Sequence, residues 1–98
     1  MDNCKGEIIT LKSSPLKYCK YESFGKIFYK FDSSEESTPT PMIAALAGLD
    51  LIDSAEKRLI MINHIEPIGL FPMIGDRFSY KVNERKDGLF EIIFALKQ

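Results

Sequence analysis

The sequence has no tryptophan, a single histidine, two cysteines and no long apolar run. Each absence excludes something. A membrane-crossing helix needs about 18 consecutive apolar residues, so none is expected. The start, Met1-Asp2-Asn3-Cys4-Lys5-Gly6, lacks an apolar signal segment. Two cysteines are too few for a disulfide framework, and too few for a zinc site without help from other ligands. The expectation is therefore a cytoplasmic protein whose Cys4 and Cys19 are reduced, Cys4 at a frayed terminus and Cys19 as a small apolar residue. Neither charge is in excess, with 13 basic and 14 acidic residues and a net charge of −1. That balance gives no pull toward nucleic acid or an anionic membrane, and neither partner is expected. No glycine-rich phosphate loop, no motif setting Ser or Cys beside a base and no paired-carboxylate signature is present, so an enzyme is not expected.

What is present suits one small domain. A chain of 98 residues, 45% hydrophobic and 28% charged, buries roughly two thirds of its unfolded surface, enough for one core. Residues 7–12 read as a short strand. Ser14-Pro15 fits a helix start, so residues 15–22 read as one or two helical turns, although Tyr18 and Tyr21 serve a strand equally well. Residues 26–32 alternate, with Ile27, Tyr29 and Phe31 on one face. After a polar connector, Thr40 is placed as N-cap and Pro41 at the first position of a helix over 41–52. Gly48 on that helix marks either a liability or a close approach to the sheet. Leu59-Ile60-Met61-Ile62 is apolar on both faces, as a central strand is. A short helix from Pro67, distorted by Pro72 and ended by Gly75, precedes strands over 78–83 and 89–95 joined at Lys86-Asp87-Gly88. This order gives an α/β (α+β) two-layer sandwich with both helices on one face of a mixed sheet.

From Lys26 to Gln98 the motifs, taken in order, resemble the TusA-like domains. In the sulfur carriers of that family a strand ending in Asp is followed by Cys-Pro-x-Pro, which opens the first helix. Here Asp32 ends the strand and Thr38-Pro39-Thr40-Pro41 stands in the Cys-Pro-x-Pro place. The likeness is nearer to a cysteine-less, uncharacterised branch. Pro39-Thr40-Pro41-Met42, the Ala45-Leu46 helix and His64-Ile65-Glu66-Pro67-Ile68-Gly69-Leu70 match it. Ser34 and Glu35 depart from the Arg and Gly usual there, and Asn63 from the acidic residue that often precedes the His. The resemblance implies a TusA-like β-α-β-α-β-β domain over 26–98, preceded by an N-terminal extension over 1–25 with an extra strand.

Thr38 cannot carry sulfur, because a hydroxyl neither holds sulfane sulfur nor ionises near neutrality. Three functions stand open. The first is a non-catalytic binding or accessory module whose site is formed by Thr38, Pro39, Pro41, His64, Glu66 and Pro67. Its occupant is a small-molecule ligand or a protein partner, a second copy of the chain included, and no cofactor is called for. The second is a sulfur relay through Cys19, and the third a nucleic-acid-binding domain. The first helical turn with the Thr38 hydroxyl is a candidate anion site. His64 is a candidate proton acceptor or metal ligand, with Glu66, Asp32 and Asp76 as candidate co-ligands but no metal-site spacing among them. Met42, Met61 and Met73 are candidates for an adaptable surface, and Phe71-Pro72-Met73 for an exposed apolar partner site.

Overall fold

The computed structural model describes residues 3–97. Six strands form one sheet: β1 (Glu7–Thr10), β2 (Lys17–Ser23), β3 (Lys26–Asp32), β4 (Lys57–Asn63), β5 (Phe78–Glu84) and β6 (Phe90–Leu96). Their spatial order is β1-β2-β3-β4-β6-β5. Only β3 and β4 run parallel. Parallel neighbours need a crossover, which helix α1 (Thr40–Leu49) supplies. Helix α2 (Phe71–Ile74) lies on the crossing from β4 to the outer strand β5. The result is the two-layer α/β sandwich with a mixed sheet.

Strand alternation divides the sheet into two faces. Tyr18, Tyr29, Phe31, Leu59, Met61, Ile92 and Phe94 point toward the helices and are buried. Ala44, Ala45, Leu49 and Ile52 meet them from the α1 side, and Leu70, Phe71 and Ile74 from the α2 side. Each large side chain so buried contributes about 1.5–3 kcal/mol. Gly48 is the close approach anticipated for that position. A Cβ there would lie 2.8 Å from a Leu59 methyl carbon and 3.1 Å from the Tyr18 ring.

The structure corrects the sequence reading in five places. Residues 15–22 are not helical: Ser14 Oγ accepts the Leu16 amide in a local turn, and Lys17–Ser23 is paired by β1 on one side and β3 on the other. Residues 1–25 therefore supply two strands, and Tyr18 sits in the common core. Helix α1 starts at Thr40, because the Thr40 amide turns back to the Ser37 carbonyl; Pro39 is the cap residue and no side chain caps it. The helix stops at Leu49, and two tight turns carry Ile52 into the core. Helix α2 is only four residues long, beginning at Phe71 and not at Pro67.

The fifth correction concerns the cysteines. Cys4 and Cys19 form a disulfide, with their Cα atoms 5.6 Å apart. Gly6 makes this approach feasible, since a Cβ there would lie 2.0 Å from the Lys20 carbonyl oxygen. The chain before β1 thus lies close against β2 and delivers Cys4 to Cys19. Disulfides persist in oxidising surroundings. The reduced-thiol part of the case for a cytoplasmic protein falls away, and what stands is that no described helix is long and apolar enough to cross a membrane.

Candidate functional site

Because β3 and β4 are parallel, the loops that follow them leave the same end of the sheet. Two buried polar residues tie these loops together. The Ser33 amide donates to the Ile62 carbonyl at 2.8 Å. The Ser33 hydroxyl lies 3.0 Å from that same oxygen and 2.9 Å from Asn63 Oδ1, so its single proton is shared between two acceptors. Asn63 Nδ2 in turn donates to the Ile65 carbonyl at 3.1 Å. Ser33 and Asn63 are the buried polar residues of the described chain. A polar group in such a place must be hydrogen-bonded to be tolerated, and these two satisfy each other.

Above this latch the two loops enclose an apolar cleft of about 200 Å³. Thr38, Pro39, Pro41 and Met42 line one side, and His64 to Gly69 the other; Met61 and Asn63 also line it. All six site residues expected from the sequence line this one cleft. Pro41 is buried, Pro67 is half-buried, and Thr38, Pro39, His64 and Glu66 stand exposed. Sequence reasoning did not find Ile65 and Ile68, which are 56% and 72% exposed, nor the Ser33–Asn63 latch. Two isoleucines three residues apart in a Pro- and Gly-containing loop were the available signal for the first pair. For the latch there was none, since Ser and Asn after a strand read as ordinary turn residues.

His64 also borders a second, polar depression with Ser34, Glu35, Glu36, Ser37 and Thr38. Its imidazole makes no hydrogen bond among the described residues, unlike a turn histidine held by backbone. Asp32 is engaged locally, accepting the Ser34 amide at 2.8 Å. Asp76 lies just before β5, whose first residue opposes the last of β6, at the far end of the sheet from His64. Among the described residues no group of three or more His, Cys, Asp and Glu is placed to hold a metal ion.

The anion site at α1 is also thin. The Thr40 amide is bonded to Ser37 and the Ile43 amide to Pro39, while Pro39 and Pro41 have no N–H. Cys19 is buried and its sulfur is bonded to Cys4, leaving no free cysteine. The Phe71-Pro72-Met73 segment splits. Phe71 stacks on Tyr80 with centroids 3.9 Å apart and is buried, while Pro72 and Met73 are exposed. The arrangement can hold an apolar group within a polar rim.

No family model, curated protein or solved structure matches this chain. The likeness of residues 26–98 to the TusA-like domains therefore rests on the motifs and element order alone.

Proposed function

We propose that the protein is a non-catalytic binding module whose cleft between residues 38–42 and 63–69 receives a single apolar anchor of a protein partner. The observation that carries this reading is the cleft itself: apolar walls and floor, Met42 and Met61 within it, and a rim of Thr38, His64 and Glu66. Size favours one class of occupant. Pockets for whole small-molecule ligands run from about 300 Å³ upward. A cleft of about 200 Å³ suits one inserted side chain better than a cofactor. The exposed Ile65 and Ile68 extend the contact outward, and methionine lets the lining adapt to its guest. Placement by the latch on rigid parallel strands keeps the site preorganised, which lowers the ordering cost of association. The TusA-like likeness fits this reading, since Thr38 retains the position of the carrier's cysteine without its chemistry.

Selection of displayed random peptides against the full chain tests the proposal. Enriched peptides should share one large apolar residue and lose binding about tenfold or more against Ile68→Asp, a change at an exposed position. Peptides lacking a common apolar residue, or binding Ile68→Asp equally well, would overturn it.

A further inference from the structure

The chain's near-neutral total conceals a division of charge between its layers. Residues 33–56 and 64–76, which build α1, α2 and their loops, hold seven of the 14 acidic residues and none of the 13 basic ones. Seven of the basic residues lie on strands, and five of these, Lys17, Lys26, Lys30, Arg58 and Lys81, share the sheet face away from the helices.

Register resolves that face into rows. One row runs Cys19, Lys30, Ile60, Ile93, Lys81 across β2, β3, β4, β6 and β5. The row beside it begins Tyr21, Phe28, Arg58. The Tyr21 and Phe28 rings stack at 5.2 Å, and the Lys5 ammonium lies 4.8 Å from the Tyr21 centroid. Lys26 shares the same face one step along β3. Acidic residues enter with the third row, through Asp32 and Glu91, and, beyond the effect of burial, the Glu91 carboxylate is near enough to Tyr21 to raise its pKa. A depression of about 140 Å³ opens between Lys5, Tyr21, Lys30 and the disulfide.

At the end of β2 and β3, Phe24 forms the tip of the two-residue turn and is fully exposed. Its φ is +52° and that of Gly25 is +77°. A turn with two successive positive φ values favours Asn-Gly, and a bulky residue there costs about 1 kcal/mol or more. The turn alone would be better served by asparagine. An exposed aromatic held at a positive φ beside a basic face is a candidate contact residue.

We propose that the open face of the sheet binds single-stranded nucleic acid, with Lys26, Lys30 and Lys81 on the phosphates and Phe24 and the Tyr21–Phe28 pair as the aromatic platform for bases. Lysines interleaved with rings on a broad surface match that ligand's alternation of charge and π-face. A duplex would use the lysines but leave the rings idle, and an acidic peptide would do the same. Each stacked base adds about 1–3 kcal/mol, so the aromatic groups set the preference for unpaired strands.

Fluorescence anisotropy with labelled oligo-dT and oligo-U of about 15 nucleotides, and with a duplex of equal length, tests this in about 50 mM salt. The disulfide is kept intact. The single strands should bind better than the duplex, and more weakly as salt rises. The pair Lys30→Glu and Lys81→Glu should lower affinity at least tenfold. Lys12→Glu with Lys86→Glu, the same change in net charge off this face, should leave it within about twofold. Phe24→Ala, at an exposed position, should lower it about fivefold with the unfolding midpoint undiminished. The proposal is overturned by an unchanged anisotropy, by equal losses from the two charge reversals, by indifference to Phe24→Ala, or by tighter binding to the duplex, polyglutamate or phosphatidylserine vesicles.

Discussion

The hydroxyl of Ser33 lies 2.9 Å from the side-chain oxygen of Asn63, thirty residues later in the chain, and both groups are buried. Removing one partner strands the other, at about 1–3 kcal/mol. Ser33→Ala should lower stability by about that amount in urea. Asn63→Ala should do the same, and the double variant should cost less than the two singles together. Additive losses would show that the two residues act separately.

Tyr18 sets a limit at alkaline pH. Its hydroxyl donates to the Ala44 carbonyl and lies 2.9 Å from Ser14 Oγ. Burial raises its pKa above the ordinary 10.0, with the Ser14 contact opposing in part. The folded state therefore favours the neutral phenol more than the unfolded state does. That stabilisation is complete below pH 10 and is lost as pH rises through the higher folded value. Tyr18→Phe should cost about 1 kcal/mol at pH 7 and reduce the fall in stability above pH 10. Tyr21, raised by burial and by the Glu91 carboxylate, leaves a residual slope. A parent-like alkaline profile in Tyr18→Phe would contradict the assignment.

The Cys4–Cys19 bridge closes a loop with a sequence separation of 15. Constraint of the unfolded chain by such a loop is worth about 3 kcal/mol. Thermal unfolding with and without a reductant should differ by about that amount, and Cys4→Ser with Cys19→Ser should reproduce the reduced value. Equal stability in both conditions would mean that the bridge adds nothing to the fold.

Phe24 gives a trade between stability and binding. Phe24→Asn places the preferred residue at its positive-φ position. Stability should rise by about 1 kcal/mol while affinity for oligo-dT falls. A destabilised variant would show that the ring packs in the fold.

Much of this architecture was legible in the residues. Alternation at Ile27-Tyr29-Phe31 and the apolar run Leu59–Ile62 gave β3 and β4, and the prolines at 39 and 41 marked the start of α1. From those elements followed the convergence of the two loops, and all six expected residues line one cleft. What escaped depends on contacts distant in sequence. Lys17–Ser23 is a strand because neighbours pair it on both sides, which Ser14-Pro15 does not reveal. Cys4 meets Cys19 only because Gly6 lets the chain lie on β2. The charge division was visible as two stretches, 33–56 and 64–76, without Lys or Arg, but the net charge averaged it away.

The cleft between Thr38 and His64 is the centre of the functional account. Its most direct test labels the methionine methyl groups and follows them by NMR while a selected apolar-anchor peptide is added. Met42 and Met61 line the cleft, whereas Met73 stands exposed outside it. The prediction is that the Met42 and Met61 methyl signals shift with saturation and Met73 stays still. Movement of Met73 with the cleft methyls unchanged would contradict it.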